Sequence, residues 1–164
     1  MIDSSKFLEN FLQQRRFGMV KDYLTGSVLD FGGNEGELKP FVKGEYLLVN
    51  YDRSAMLNRK FNSIISLAVV EHIDVPEVYN IFHEFKNCLL PDGHIFITTP
   101  TPPSKPILEF LAWIGLLDKG NIREHKHYWN KQEIYELAEK TGFRVEKYKR
   151  FQLGFNQYAV MKHK

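Results

Sequence analysis

A glycine-rich turn near residue 30 is the segment whose residue types and spacing best suit ligand binding. Its pattern is Asp30-x-Gly32-x-Asn34-x-Gly36, and the short, mostly apolar stretch Ser27–Phe31 leads into it. Glycine adopts positive φ and lets a ligand approach the backbone closely. A helix that starts after such a turn offers free N–H groups and a positive dipole end. We therefore predict a strand-to-helix turn that cradles a nucleotide-type ligand.

Two well-known glycine-rich patterns do not fit this turn. The dinucleotide fingerprint requires glycine at its first, third and sixth positions, which here are Gly32, Asn34 and Glu37. A P-loop would require Gly-Lys-Ser/Thr, which does not follow the turn. Asparagine tolerates the left-handed conformation best among non-glycine residues, so Asn34 is compatible with a tight turn. A turn that binds no ligand stays open as the alternative.

Asp52 is the second candidate binding residue, because it follows the apolar run Tyr46–Val49. A carboxylate at the end of such a strand can accept hydrogen bonds from both ribose hydroxyls of a nucleoside. The alternative is a helix cap or an exposed turn residue. The combination of Asp52 with the glycine turn favours the nucleoside.

His125 and His127 are the candidate catalytic bases, and both lie in the segment 124–128. Histidine is suited to proton transfer near neutral pH. The alternative is that the two rings only pack or hydrogen-bond within a loop. Two ligands without a third do not make a metal site, so we predict no metal.

Alternating strands and helices are predicted to position these residues. Strands are expected at Ser27–Phe31, Tyr46–Val49, Ser63–Ala68, His94–Thr99, Phe143–Gln152 and Asn156–Lys162. Helices are expected within 5–24, over Ile107–Leu117 and, briefly, after the glycine turn. Two more are expected to begin at capping boxes: one at Asp74 and Glu77, and one at Asn130 and Glu133 that ends at Gly142. A turn at Pro91-Asp92-Gly93 is expected to precede the fourth strand.

This order predicts an α/β fold with a Rossmann-like doubly wound sheet, mostly parallel, that ends in an antiparallel hairpin. The link near Leu153-Gly154 is short enough to require that hairpin. In such sheets, ligands bind beyond the carboxyl ends of the strands. The glycine turn, Asp52 and the segment after Leu67 are expected to meet there.

Composition limits the other function classes. A chain of 164 residues with a net charge of +2 suits a single domain over 1–164 and gives no reason to expect nucleic acid. The short basic pieces Arg15-Arg16 and Lys147–Arg150 are interpreted as solvated faces. The lone Cys88 excludes an internal disulfide and suits a reducing, cytoplasmic location. No apolar run approaches the ~20 residues of a membrane span.

Five stretches, in this order, resemble the class I S-adenosylmethionine-dependent methyltransferases of the type-11 or type-23 branch. They are Val28–Gly36, Val49–Ser54, Phe61–His72, Leu89–Pro100 and Thr141–Phe143. The resemblance implies that the cofactor is S-adenosylmethionine, with S-adenosylhomocysteine as the product. It also implies transfer of a methyl group to a small-molecule acceptor. Relatives in this branch act on sugars, surface-polysaccharide precursors and quinone precursors.

The resemblance also implies roles for individual residues. Asp30, Gly32, Gly33 and Gly36 would hold the methionine part and the ribose edge, with Asn34 in a position that is usually glycine. Asp52 would bind the ribose hydroxyls. Ser66, Leu67 and Ala68 would line the floor beside the sulfonium. Glu71-His72 matches the family's Glu-His pair.

The sequence departs from the family between Arg53 and Phe61, where the family normally has a helix, a further strand and an adenine-contacting loop. These residues can span at most roughly 30 Å, which allows a single tight crossover. We therefore expect family strand 3 to be missing, the strand Tyr46–Val49 to lie at the sheet edge, and the adenine pocket to be partly open. The alternative function is a non-catalytic scaffold or partner subunit with an incomplete adenine pocket.

Two segments flank this core. Residues 1–26 are expected to form an N-terminal helical segment, and residues 100–129 an insertion at the acceptor site or a lid. Within that insertion the helix Ile107–Leu117 is apolar nearly all round. Burial is the commonest explanation. A dimer contact or a contact with a lipid-linked substrate stays open.

Overall fold

A single six-stranded sheet organises the chain. The computed structural model describes residues 13–50, 52–115, 120, 122 and 124–164. The strands are β1 (Val28–Phe31), β2 (Tyr46–Val49), β3 (Phe61–Leu67), β4 (Leu89–Pro100), β5 (Phe143–Phe151) and β6 (Asn156–His163). The helices are α1 (13–20 of the described part), α2 (Ser54–Leu57), α3 (Val75–Cys88), α4 (Lys105–Trp113) and α5 (Lys131–Thr141).

The strand order is β2-β1-β3-β4-β6-β5. The strands β2, β1, β3 and β4 pair in parallel, whereas β6 pairs antiparallel with both β4 and β5. This confirms the predicted mostly parallel α/β sheet with a C-terminal antiparallel hairpin. In the described part of the chain no strand pairs with the outer side of β2, so the expected edge position and the absence of family strand 3 are confirmed.

Apolar side chains cover both faces of the sheet. One cluster joins the buried stripe of α3, including Phe82 and Phe85, to Leu137 of α5. The other cluster places Phe17 and Val20 of α1 against the opposite face. Because each face is covered by helices, the central strands bury consecutive apolar residues on both faces, as at Ile64-Ile65 of β3 and Ile95–Ile97 of β4.

The connection between β2 and β3 is as short as the sequence predicts. Among its described residues the regular structure is the one-turn helix α2, whose Met56 is fully buried. The thiol of Cys88 lies 3.2 Å from the carbonyl oxygen of Met56 and is buried, which agrees with a structural role.

The capping boxes predicted for α5 and α3 differ in their outcome. At α5 the capping box of Asn130 and Glu133 forms, and Gly142 ends the helix at φ 84°. At α3 the predicted capping box is wrong, because the side chain of Asp74 makes no cap hydrogen bond. Its carboxylate instead lies 2.7 Å from the ammonium nitrogen of Lys126. Residues far along the chain can compete for a capping carboxylate, and a local pattern cannot reveal this.

Three other boundaries differ from the expectation. The brief helix after the glycine turn is a series of turns over 34–38 followed by the 3₁₀ helix Lys39–Phe41. The strand β4 starts at Leu89, earlier than expected, but its register against β3 shifts between the pairs Phe61–Leu89 and Ser63–His94, so residues 90–93 interrupt the ladder where the turn is predicted. The helix expected over Ile107–Leu117 is α4, Lys105–Trp113, and residues 116–119 lie outside the described residues.

The expectation of helix within 5–12 also falls outside the described residues. No helix in the described part of the chain combines the length and apolar character that a bilayer span requires.

Candidate functional site

A cleft of about 840 Å³ opens beyond the carboxyl ends of β1, β2 and β3. Its walls are the glycine turn, the segment 67–73, residues of α1, and part of the segment 122–125. This volume falls in the range of small-molecule and cofactor sites. The cleft lies where ligands bind in doubly wound sheets, as the sequence predicts.

The glycine turn has the backbone that its sequence requires. Gly32 has φ +79° and Asn34 has φ +50°, both in the left-handed region. A Cβ on Gly33 would lie 2.2 Å from a carboxylate oxygen of Asp30, so only glycine fits there. The side-chain amide of Asn50 donates to the Asn34 carbonyl oxygen at 2.9 Å, which fastens the turn to the end of β2.

Asp30 lines the floor of the cleft and is only 1% exposed. The hydroxyl of Tyr46 donates a 2.6 Å hydrogen bond to its carboxylate. Burial raises the pKa of Asp30 to about 6, an effect that the Tyr46 hydrogen bond partly opposes and the charge of Glu37 reinforces. The Asp30 carboxylate is therefore held at a fixed place beneath the turn.

Asp52 lies beyond the end of β2, as expected, but it does not line the cleft. Its side chain is exposed and accepts a hydrogen bond from the backbone N–H of Ser54 at 2.9 Å, which lowers the pKa of Asp52. Asn50 and Arg53, on either side of it, do line the cleft. Arg53 is fixed by ion pairs with Glu77 and Glu84. Contact between Asp52 and a ribose stays a prediction.

The end of β3 supplies Leu67 and Ala68 to the cleft, as the resemblance implies. Ala68 has φ +57°, and its backbone N–H donates to the carbonyl oxygen of Thr98 at 3.0 Å. Strain of this kind in a non-glycine residue is frequent at ligand sites. Ser66 is buried and does not line the cleft, and neither does Gly36.

Glu71, His72 and His125 meet at one wall of the cleft. The rings of His72 and His125 are 4.7 Å apart, and the Nδ1 atom of His125 lies 3.0 Å from the hydroxyl oxygen of Tyr128. Burial and the nearby His72 lower the pKa of His125 to about 4. Burial raises the pKa of Glu71 to about 7, partly opposed by its own backbone amide, Arg16 and Thr99.

The second predicted catalytic histidine, His127, does not line the cleft. Its Nε2 atom lies 3.1 Å from a carboxylate oxygen of Glu133, and its ring packs edge-on against Trp129. These contacts attach the loop to the start of α5. The structure therefore separates the two histidines, although only one residue lies between them.

Among the predicted cofactor-binding residues, six line the cleft: Asp30, Gly32, Gly33, Asn34, Leu67 and Ala68. Sequence reasoning missed other lining residues. Arg16, interpreted as part of a solvated face, is half-buried and lines the cleft. Glu71 was matched only to a family pair, and Asn50 carried no signal of its own. For Arg16 the helical pattern around Phe17 could have indicated an inward-facing position.

This arrangement suits S-adenosylmethionine in two respects. Gly33, which has no Cβ, and left-handed Gly32 leave the backbone accessible above Asp30, where a polar ligand end would bind. The cleft also continues from this turn to the wall formed by His72 and His125, so a donor and an acceptor could lie side by side.

Comparison with known proteins agrees with this geometry. The profile of a methyltransferase domain family, type 23, matches residues 6–148. We found no curated protein whose sequence matches the chain.

Several solved structures share the fold. The mitomycin 7-O-methyltransferase MmcR is 15% identical with a TM-score of 0.69, and the match covers 93% of this chain and 54% of MmcR. CalO1, a methyltransferase in calicheamicin biosynthesis solved with bound SAH, is 12% identical with a TM-score of 0.65, covering 95% and 55%. Magnesium protoporphyrin IX methyltransferase ChlM from Synechocystis PCC 6803, also with SAH, is 12% identical with a TM-score of 0.61, covering 93% and 84%.

The chain thus spans about half the length of MmcR and of CalO1. At these identities the structural matches show the fold alone, whereas the family profile covers most of the sequence. The chain belongs to the methyltransferase domain family, whose cofactor is S-adenosylmethionine.

Proposed function

We propose that the chain transfers a methyl group from S-adenosylmethionine to an oxygen of a small-molecule acceptor. The observation that carries this proposal is the continuity of one cleft, from the turn above Asp30 to the wall at His125. One continuous cleft can hold a donor and an acceptor side by side, and such alignment supplies much of the catalysis of a displacement.

For the acceptor we propose a sugar or a surface-polysaccharide precursor, as in relatives of this branch. The helix α4 borders the cleft through Leu108 and exposes Phe110 and Trp113, which are 55% and 72% exposed. An exposed apolar face beside an active cleft suits an acceptor with an apolar part, such as a lipid-linked sugar. This supports the choice of acceptor without identifying it.

The reaction needs little from ionised side chains. The acceptor oxygen forms a bond to the methyl carbon as the carbon–sulfur bond breaks, and the bonding electron pair returns to sulfur. The hydroxyl proton leaves to solvent or to a basic group. His125 lines the part of the cleft proposed for the acceptor, and it is uncharged near neutral pH because its pKa is about 4. A ring with so low a pKa is a weak base, so its proposed contribution is to hold the acceptor.

A second candidate function is a non-catalytic scaffold or partner subunit. It is favoured by the exposed position of Asp52 and by the short connection between β2 and β3. Such a protein would keep the fold and lose tight cofactor binding or turnover.

Calorimetric titration with S-adenosylhomocysteine tests the proposal first. We expect saturable binding that Asp52→Ala weakens, if Asp52 contacts the ribose as the family implies. Absence of heat and of any thermal shift at millimolar ligand would rule out the enzyme. Unchanged affinity in Asp52→Ala would instead show that the ribose lies elsewhere, with Asn50 as the next residue to replace.

Turnover is tested separately with methyl-labelled donor and a panel of sugars, lipid-linked sugars and phenols. We expect label in at least one hydroxyl-bearing acceptor, reduced by His125→Ala and retained in His127→Ala. Binding of S-adenosylhomocysteine without transfer to any acceptor would favour the non-catalytic alternative.

A further inference from the structure

Three potential metal ligands converge on the wall of the cleft that faces the proposed acceptor. The ligand atoms of Glu71, His72 and His125 all lie within 4.8 Å of one another. Glu71 is 1% exposed, and its Oε2 atom has no hydrogen-bond partner among the described residues. A buried carboxylate oxygen normally has a partner, so this oxygen is available to a ligand.

Both histidine rings are held through one nitrogen, which leaves the other available. The Nδ1 atom of His125 lies 3.0 Å from the Tyr128 hydroxyl oxygen. The ring of His72 hydrogen-bonds to the backbone of Glu124. Histidines that bind a metal ion are usually oriented in this way by a carbonyl, hydroxyl or carboxylate on the second nitrogen.

Backbone hydrogen bonds attach the loop that carries His125 to the segment that carries Glu71 and His72. The backbone N–H groups of Lys126 and His127 donate to the Glu71 carbonyl oxygen at 2.7 and 3.2 Å. The three side chains are thus brought together by the fold before any ligand arrives. This limits the entropy that binding would cost.

We propose that Glu71, His72 and His125 bind one divalent transition-metal ion. One carboxylate and two imidazoles suit Zn²⁺ and its first-row neighbours, and three protein ligands leave coordination positions open. Bonds of about 2.1 Å place two ligand atoms of one ion at most about 4 Å apart. Small rotations of the three side chains would bring their ligand atoms from up to 4.8 Å to this separation. Arg16, whose positive charge lowers the pKa of Glu71, also lines the cleft.

This proposal rests on the proposed function and specifies the acceptor further. The open positions of the ion would bind the acceptor oxygen, and an ion lowers the pKa of a hydroxyl that it binds, so the proton leaves to solvent before or during methyl transfer. The preferred acceptors are then compounds with two neighbouring oxygen atoms, such as vicinal diols of sugars.

Titration of the chelator-treated protein with Zn²⁺ tests the site without any cofactor. We expect one ion per chain by calorimetry, with affinity at least tenfold weaker in Glu71→Gln and in His125→Ala. The matched controls are His127→Ala, in the same loop, and His83→Ala, exposed on α3, and both should bind as the unchanged protein does. Substituting Co²⁺ should give visible d–d absorption that His125→Ala removes.

Absence of saturable Zn²⁺ binding, or binding lost in His127→Ala but kept in His125→Ala, would overturn the proposal. Circular dichroism reports whether each variant folds. If Glu71→Gln does not fold, His125→Ala and Tyr128→Phe decide, since each leaves the buried carboxylate in place. Tyr128→Phe should weaken Zn²⁺ at least several-fold by freeing the ring of His125.

S-adenosylhomocysteine titration in the presence of chelator separates this proposal from the proposed function. Cofactor binding without Zn²⁺ binding would overturn only the metal site. Zn²⁺ binding without cofactor binding would support the metal site as an ion-binding site and rule out its role in methyl transfer.

Discussion

At the scale of single residues, the contact between Gly33 and Asp30 fixes the cofactor turn. The carboxylate of Asp30 occupies the space that a Cβ on Gly33 would need. The Tyr46 hydroxyl prevents this carboxylate from moving aside. The two positions therefore depend on each other.

We expect Gly33→Ala to lower the free energy of unfolding by roughly 1 to 3 kcal/mol, because the added methyl group collides with a buried carboxylate. It should also abolish calorimetric binding of S-adenosylhomocysteine. The matched control is Gly18→Ala in α1, where a Cβ would meet nothing within 4 Å. That change should raise stability by up to about 1 kcal/mol and leave binding unchanged. Equal effects in the two variants would contradict the packing described for the turn.

Asp30 should also give the fold a pH dependence. Its pKa is raised from 3.8 to about 6, so above pH 3.8 the folded state binds more protons than the unfolded state. The free energy of unfolding therefore falls as pH rises through this range. Integrated between pH 4.5 and 7.5, the loss from this group is about 2 kcal/mol.

Asp30→Asn removes this titration, so urea unfolding at pH 4.5 and 7.5 should show a smaller loss of stability in the variant by about that amount. A variant that loses as much stability as the unchanged protein over the same interval would show that Asp30 is already ionised in the fold at low pH.

At the scale of elements, the structure shows that complete burial, one of the explanations left open for the apolar helix α4, does not hold among its described residues. Its sequence is apolar nearly all round, for which burial is the usual explanation. In the fold, Ala112 is buried, whereas Phe110, Trp113 and Ile107 are more than a third exposed. An apolar pattern identifies the helix but does not reveal which side packs, since that depends on what lies beside it.

This orientation predicts opposite outcomes for neighbouring substitutions in α4. Trp113→Ser should change the free energy of unfolding by less than about 0.5 kcal/mol, because the ring is 72% exposed. Ala112→Leu should cost roughly 1 to 3 kcal/mol, because the residue is 5% exposed and a larger side chain would have to displace its neighbours. Urea denaturation of both variants measures the difference. A costly Trp113→Ser beside a neutral Ala112→Leu would mean that the helix faces the other way.

At the scale of the whole molecule, the sheet ends at β2, and this edge decides how much of the cofactor the protein can enclose. The turn at 30–34 and the end of β3 line the cleft, and we predict that they hold the methionine and ribose parts of the cofactor. On the far side of β2, the described part of the chain places no further strand. We therefore expect adenine to be bound less completely than the rest of the cofactor.

Replacing adenine by hypoxanthine should show this. S-inosylhomocysteine should bind within about threefold of S-adenosylhomocysteine in calorimetric titration, because few protein groups would recognise the exocyclic amine. A loss of a hundredfold or more, about 2.7 kcal/mol, would show that the adenine pocket is closed by residues outside those described.

The sequence by itself determined the strand order along the chain, the antiparallel hairpin, the tight crossover at 53–61 and the glycine turn. These features depend on local chemistry: apolar runs, glycine and asparagine at left-handed positions, and links too short for any other topology. The capping box at Asn130 belongs to the same class, because all its partners lie within four residues.

Only the tertiary structure decided which residues share the cleft. It separated His125 from His127, turned Asp74 towards Lys126, and brought Arg16 to the same wall as Glu71. These outcomes depend on contacts between residues far apart in the chain. Each of these side chains could form its hydrogen bonds or ion pairs with several alternative partners. Side-chain direction at a loop or helix end is set by that competition, which is why the meeting of Glu71, His72 and His125 cannot be predicted from their positions in the sequence.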